Sequence, residues 1–142
     1  MRFMVILKAT KASEAGEMPS EALMTAMIKF NEELVKAGVL LAADGLRPSR
    51  DGARVRFDGN RREVIDGPFA ETRELVAGYW MIQVSSLAEA IEWMKRAPHP
   101  MEGDVAELEI RRMFEADDFG DELTPEARAT IDRMHAEVAA KS

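Results

Sequence analysis

The stretch that decides the fold is residues 66–80, which read DGPFAETRELVAGYW. It opens with the turn signal Asp66-Gly67-Pro68 and then runs directly into an apolar segment that extends to residue 84. A turn that leads into a long apolar run predicts a loop followed by a central strand. Because the loop also holds three carboxylates and one arginine, it is the first candidate for a functional site.

The rest of the chain predicts three further strands, a hairpin and three helices. Near-continuous apolar segments predict strands at residues 2–9, 39–46 and 105–114. Alternation on both sides of a turn predicts a hairpin over residues 53–65, and residues 11–18 are predicted to be a loop.

The helices have clear start and stop signals. Residues 20–37 carry an apolar stripe that includes Phe30 and Leu34, and Gly38 follows where a terminating glycine is expected. Ser86 and Glu89 form a capping box before a second helix that ends near residue 96.

The order β-α-β, hairpin, β-α-β predicts a ferredoxin-like α+β sheet with both helices on one face. The other face of that sheet would expose large apolar side chains to water. Pairing two sheets face to face removes that exposure, so the pattern predicts a homodimer closed as an α+β barrel. The expected partner is therefore a second copy of the same subunit.

Composition limits the classes of partner. The chain has 142 residues and a formal net charge of −7, and this negative charge disfavours binding to nucleic acid or anionic membranes. It contains no cysteine, which excludes disulfides. The absence of cysteine leads us to expect a cytoplasmic protein. We expect no cofactor and no metal site, because no phosphate-binding glycine loop, dinucleotide motif or paired-histidine motif occurs. Three segments are predicted: a domain over residues 1–114, an acidic linker over 115–123, and an amphipathic helix over 124–142.

The sequence resembles the YCII-related proteins of the DGPF subgroup over about residues 1–114. The segments that carry the resemblance are residues 33–40, 44–48, 66–74, 78–80, 92–93 and 107–111. The resemblance implies a ferredoxin-like subunit that dimerises into an α+β barrel, and a link to bacterial sigma-factor regulation, since such proteins are often encoded beside sigma-factor genes. It also implies a catalytic His–Asp pair for the wider group, but Met27 lies near the expected place of the histidine, and Ala97 precedes Pro98 where the aspartate would be.

Three residues are candidates for catalysis. Asp66 is the candidate base, because a carboxylate beside aromatic side chains has its pKa raised by desolvation. Tyr79 and His99 are candidate proton donors. The alternative for Asp66 is mechanical: its side chain accepts backbone N–H groups in the turn, Gly67 takes a positive φ and Pro68 fixes the exit.

Four further residues are candidates for ligand binding: Phe69, Glu71, Arg73 and Trp80. Arg73 is a candidate clamp for an anionic substrate, and its alternative role is a solvated ion pair. If the segment is extended, Glu71 and Arg73 share one face. Tyr79 and Trp80 lie on opposite faces of a strand, and packing is the alternative role of both.

Two classes of function remain open from the sequence. The first is a protein without catalysis, which the missing His–Asp pair favours: either its pocket binds a small molecule, or the apolar stripe of its last helix binds a partner. The second is a cofactor-free enzyme that performs proton transfer, isomerisation or oxygenation on a small apolar substrate in the barrel pocket.

Overall fold

The computed structural model describes residues 1–141, and the chain divides into two compact units, Met1–Arg112 and Met113–Ser142. The first unit contains six strands: β1 (Arg2–Lys8), β2 (Leu40–Gly45), β3 (Ala53–Asp58), β4 (Arg61–Asp66), β5 (Val76–Gln83) and β6 (Leu108–Arg112). It also contains three helices: α1 (Lys11–Glu14), α2 (Glu21–Lys36) and α3 (Leu87–Lys95). The second unit contains α4 (Pro125–Lys141).

The main sheet has four strands in the order β2-β5-β1-β6, and every neighbouring pair is antiparallel. The units β1-α2-β2 and β5-α3-β6 are therefore interleaved, with the first strand of each at the centre of the sheet. This is the order that two β-α-β halves were expected to give. The hairpin β3–β4 forms a separate two-stranded sheet, as its alternating sequence predicts.

The hydrophobic core lies on one face of the main sheet, between β1 and β5 and the helices α2 and α3. Its buried members are contributed by both layers: Phe3, Val5, Trp80 and Ile82 from the sheet, and Phe30, Leu34, Ala90 and Met94 from the helices. Full burial of one large apolar side chain contributes roughly 1.5–3 kcal/mol, so this cluster is the main source of stability.

The opposite face of the sheet carries the large side chains that the apolar pattern predicts. Met4 is opposite Met81 and Ile6 is opposite Tyr79 in the β1–β5 register, and all four are half-buried. We call this surface the open sheet face. The dimeric barrel that the pattern predicts would cover it.

Two details of the predicted elements are wrong, and one condition set for the 66–74 loop is not met. Residues 11–18 are not all loop, because Thr10 and Ser13 cap α1 reciprocally, with N–H to hydroxyl distances of 2.9 and 3.2 Å. The last strand begins at Leu108 rather than at residue 105, and Val105 is 84% exposed. Thr72–Glu74 is a turn of 3-10 helix, so the extended geometry that would align Glu71 with Arg73 is not formed.

The ends of the two longer helices follow the sequence signals. The Ser20 hydroxyl accepts the Leu23 N–H at 3.1 Å, and Gly38 has a φ of 72° after α2. Ser86 accepts the Glu89 N–H at 3.1 Å, whereas the Glu89 carboxylate reaches back to the N–H of Ser85, at 2.6 Å. Hydrogen bonds from the backbone and then the hydroxyl of Ser85 hold the pKa of Glu89 below its ordinary value.

The segment predicted as an acidic linker, residues 115–123, contains local structure. Ala116–Asp118 forms a 3-10 turn, and the rings of Phe114 and Phe119 lie 5.2 Å apart. Thr124 accepts the Ala127 N–H at 3.1 Å to begin α4, as the Thr-Pro pair predicts. None of the described residues of α4 is buried, although Ala127 and Ile131 of its apolar stripe are half-buried.

Among the helices of residues 1–141, none combines the length and the apolar character needed to cross a bilayer.

Candidate functional site

Strand direction brings four connecting segments to one end of the main sheet. β1 and β2 end there, at Lys8 and Gly45, and the antiparallel strands β5 and β6 begin there, at Val76 and Leu108. The segments that meet at this loop end are residues 9–20, 46–52, 67–75 and 96–107. Two open clefts lie among them.

The first cleft, which we call the apolar cleft, has a volume of about 620 Å³. Its apolar lining comes from strands, both nearby helices and three loops, and includes Leu7, Ala12, Met18, Leu23, Leu46 and Met101. Arg50, Glu17 and Glu102 are among its few charged side chains. A mostly apolar concave surface with a few polar groups is the usual form of a small-molecule site.

Side-chain hydrogen bonds hold the walls of the apolar cleft together. The Glu14 carboxylate of α1 accepts the Ser49 N–H at 3.0 Å and the Ser49 hydroxyl at 2.5 Å. The Glu102 carboxylate accepts both the N–H and the hydroxyl of Ser20, at the start of α2. Because these bonds join segments that are far apart in the chain, they fix the shape of the cleft before any ligand binds.

Ser49 also anchors the loop that follows β4. The Phe69 N–H donates to the Ser49 hydroxyl at 3.0 Å, and the Gly67 N–H donates to the Gly52 carbonyl at 3.0 Å. A Cβ atom on Gly67 would lie 1.8 Å from the Ser49 carbonyl oxygen. Gly67 does not have a positive φ, so the loop needs glycine for close approach rather than for the turn conformation predicted from the sequence.

Phe69 and Glu71 meet an arginine that the sequence did not single out. The Arg54 guanidinium lies 3.8 Å from the centre of the Phe69 ring, and one of its nitrogens lies 3.9 Å from a Glu71 oxygen. Arg54 therefore joins the β3–β4 hairpin to the 66–74 loop, through stacking on an aromatic ring and a long ion pair with a carboxylate. These contacts stabilise the loop, and neither Phe69 nor Glu71 lines either cleft.

The Asp66 side chain does not accept the backbone N–H groups of the turn, so the mechanical role predicted for it is wrong; its role as a base stays a prediction. It is exposed at the end of β4, and its carboxylate makes no hydrogen bond or ion pair within residues 1–141. The backbone donors of the turn are bound by Ser49 and Gly52 instead. Asp66 also lies outside the lining of both clefts.

The second cleft, which we call the basic cleft, has a volume of about 710 Å³ and includes Arg73. Lys8 and Lys11 line it with Arg73, and the lining carboxylates are Asp104 and Glu107. Lys8 is paired with Glu109 at 3.4 Å, whereas Lys11 and Arg73 have no charged partner within residues 1–141. Asp104 and Glu107 balance the charge of Lys11 and Arg73, but neither of these cations is held in an ion pair within residues 1–141.

Tyr79 and Trp80 lie on opposite faces of β5, as alternation predicts. Trp80 is only 5% exposed, packs edge-on against Phe30, and donates its indole N–H to Asn31 at 2.8 Å. Trp80 is therefore a core residue whose polar atom is satisfied. Tyr79 points to the open sheet face, where its hydroxyl donates to the Asp44 carboxylate at 3.3 Å.

His99 lies in the exposed loop after α3, next to a residue of the apolar cleft. Its Nδ1 accepts the Met101 N–H at 3.2 Å, which shapes the turn that presents Met101 to the cleft. Of the seven predicted site residues, only Arg73 lines a cleft. The ties through Ser49 and Glu14 have no signal in the sequence, because they join residues 35 positions apart.

Within residues 1–141, no group of three or more histidine, aspartate or glutamate side chains is arranged to hold a metal ion.

These features define a class: an α+β domain with one four-stranded antiparallel sheet, helices packed on one face and clefts at its loop end. The model of the YCII-related domain family matches residues 1–114, and the chain belongs to that family. An uncharacterized protein of Rhizobium meliloti (strain 1021) is 33% identical over 75 residues, which is 53% of this chain. The match covers 60% of that protein's own length.

Proposed function

We propose that this protein binds a small, mainly apolar molecule in the apolar cleft. The observation that carries the proposal is the combination of an apolar lining with walls that are already tied together through Glu14–Ser49 and Glu102–Ser20. A site that is ordered before binding loses little entropy when a ligand arrives, which favours affinity from a modest contact area.

Filling the cleft tests the proposal. Ala12 is half-buried and lines the cleft, so Ala12→Phe should occupy ligand volume without disturbing the core below the sheet. Ala26→Phe is the matched control, because Ala26 is an exposed helical residue that does not line either cleft. The probe is a panel of small metabolites screened by thermal shift against all three proteins.

A ligand present at about 100 times its dissociation constant adds roughly 2.7 kcal/mol to the free energy of unfolding. We expect at least one compound to raise the melting temperature of the natural protein and of Ala26→Phe by several degrees, but not that of Ala12→Phe. A compound that stabilises all three proteins equally would place the ligand elsewhere and contradict the proposal.

The proposed assembly is a homodimer formed through the open sheet face. The half-buried side chains of Met4, Ile6 and Met81 supply a central apolar strip that a second copy would cover. Sedimentation equilibrium at micromolar concentration should give a dimer for the natural protein and a monomer for Met81→Glu. A monomeric natural protein would contradict the proposed homodimer but not the proposed ligand binding in the apolar cleft.

A second candidate function is catalysis at the hydrogen-bonded pair Tyr79–Asp44. A phenol that donates to a carboxylate on a face covered by a second copy could transfer a proton to a bound substrate. If the ligand found by the screen is turned over, Tyr79→Phe should stop product formation while the ligand still binds. Undiminished turnover in Tyr79→Phe would remove this function.

The membership of the DGPF subgroup and the link to sigma-factor regulation remain proposals. The residues that support the first are those of the 66–74 loop, which Ser49 and Gly52 hold in place. If the protein acts in regulation, its signal would be the binding of a ligand and not the conversion of a substrate, which agrees with the main proposal.

A further inference from the structure

The basic cleft brings together two cations that are not held in ion pairs by any described residue. The chain carries a formal net charge of −7, yet Lys11 and Arg73 project into one cleft without a charged partner within residues 1–141. They come from different elements, α1 and the 3-10 turn before β5. Sequence neighbours alone would not place them together, so it is the fold that brings these two cations into one cleft.

In the described part of the chain, the acidic residues of the basic cleft do not form ion pairs with Lys11 or Arg73. Asp104 directs one carboxylate oxygen at the N–H of Val105, at 2.7 Å, within its own loop. Glu107 lines the cleft, and Lys8 is already paired with Glu109. Lys11 and Arg73 therefore lie beside Asp104 and Glu107, but within residues 1–141 neither cation forms an ion pair with either carboxylate.

The two clefts are neighbours. Thr10 and Asp104 belong to the lining of both, so the apolar cleft and the basic cleft meet at these two residues. Thr10 is fixed at this junction, because its hydroxyl accepts the Ser13 N–H at 3.2 Å and its backbone N–H donates to the Ser13 hydroxyl. A molecule that extends past Thr10 would place one end against apolar side chains and the other end near Lys11 and Arg73.

We propose that the two clefts form one site for a small organic anion, with an apolar body in the apolar cleft and an oxyanion held by Lys11 and Arg73. The inference rests on the proposed function, since the apolar cleft holds most of the ligand. Arginine suits the head group because its planar fork binds carboxylate and phosphate through two parallel hydrogen bonds.

The test compares three ligands with the same tail. Octanoate and octyl phosphate carry different oxyanions, and 1-octanol carries none. Their dissociation constants are measured by isothermal titration, each below its micelle concentration, for the natural protein and for Arg73→Gln and Lys11→Gln. Arg56→Gln is the matched control, because it removes the same charge from the exposed hairpin outside both clefts.

We expect an oxyanion ligand to bind the natural protein at least about tenfold more tightly than octanol, the factor that one charge-assisted hydrogen bond supplies. Arg73→Gln and Lys11→Gln should each remove most of that preference, leave octanol binding unchanged and match the folded far-ultraviolet spectrum of the natural protein. Arg56→Gln should keep the preference. The ratio of octanoate to octyl phosphate affinity identifies the head group.

Two other results overturn the inference, and they differ in what they say of the apolar cleft. Equal affinity for octanol and both anions, unaffected by Arg73→Gln, would leave a purely apolar site and keep the proposed function. No binding of any octyl compound would overturn the inference, and if the metabolite panel also gives no hit, the proposed function fails with it.

Discussion

Replacing Gly67 with alanine tests how the loop after β4 is held in place. An alanine Cβ would lie 1.8 Å from the Ser49 carbonyl oxygen and 2.6 Å from its carbon, and both are backbone atoms that cannot rotate away. The loop must therefore move away from the Ser49 turn. That movement breaks the Gly67–Gly52 and Phe69–Ser49 hydrogen bonds and separates the Phe69 ring from Arg54.

The size of the effect is set by these three interactions. Two hydrogen bonds contribute about 1 kcal/mol each, and an exposed cation–π contact contributes about 0.5–1 kcal/mol. Alanine restricts the unfolded chain and returns about 0.4–1 kcal/mol. We therefore expect Gly67→Ala to lower the free energy of unfolding by about 2 kcal/mol, measured by urea denaturation at equilibrium.

Two controls separate close approach from other effects. Gly59 lies in the hairpin turn with a φ of 57° and nothing within 4 Å of its ideal Cβ, so Gly59→Ala should cost only about 1 kcal/mol of left-handed strain. Asp66→Ala should change the free energy of unfolding by less than about 0.5 kcal/mol, because its side chain has no partner within residues 1–141. A cost for Gly67→Ala no greater than that for Gly59→Ala would refute the reasoning.

Two further predictions concern the core and a helix end. Trp80→Phe leaves the Asn31 amide without the indole N–H and removes buried volume. It should therefore lower the free energy of unfolding by roughly 1–3 kcal/mol, measured by urea denaturation, while ligand affinity stays the same. Weakened ligand binding at unchanged stability would instead identify Trp80 as a binding residue. The Ser85 donors lower the pKa of Glu89 in the folded state, so this carboxylate stabilises the fold above its unfolded pKa and loses that contribution as pH falls through its folded pKa. Carboxyl NMR titration should give a pKa for Glu89 below the ordinary glutamate value of 4.5, and a value at or above it would contradict the Ser85 contact.

The sequence predicts the main elements well because their signals are local. The apolar stripe through Phe30 and Leu34, the stop at Gly38 and the Thr124-Pro125 start all act within one or two turns of chain. The strand order follows as well, because two β-α-β halves have few ways to share one sheet. The missed helix α1 depends on a reciprocal Thr10–Ser13 cap, in which serine replaces the usual glutamate or glutamine.

The candidate site could not be predicted from the sequence in the same way. The 66–74 loop stands out by composition, but side-chain composition does not say which way a loop faces. Asp66 is exposed and Trp80 is in the core, whereas Ser49, Glu14 and Glu102 shape the clefts through contacts with residues tens of positions away. Arg73 was identified because a cation among carboxylates is conspicuous, and the fold places it in the basic cleft.

The most direct test of the central claim, that the loop end binds a small organic anion, is a two-dimensional amide NMR titration of the natural protein with octanoate. We expect the largest shift changes at amides of the two clefts, including those of Thr10, Lys11, Leu46, Arg73 and Met101. Changes confined to the open sheet face around Tyr79 and Met81, or no changes at all, would contradict the claim.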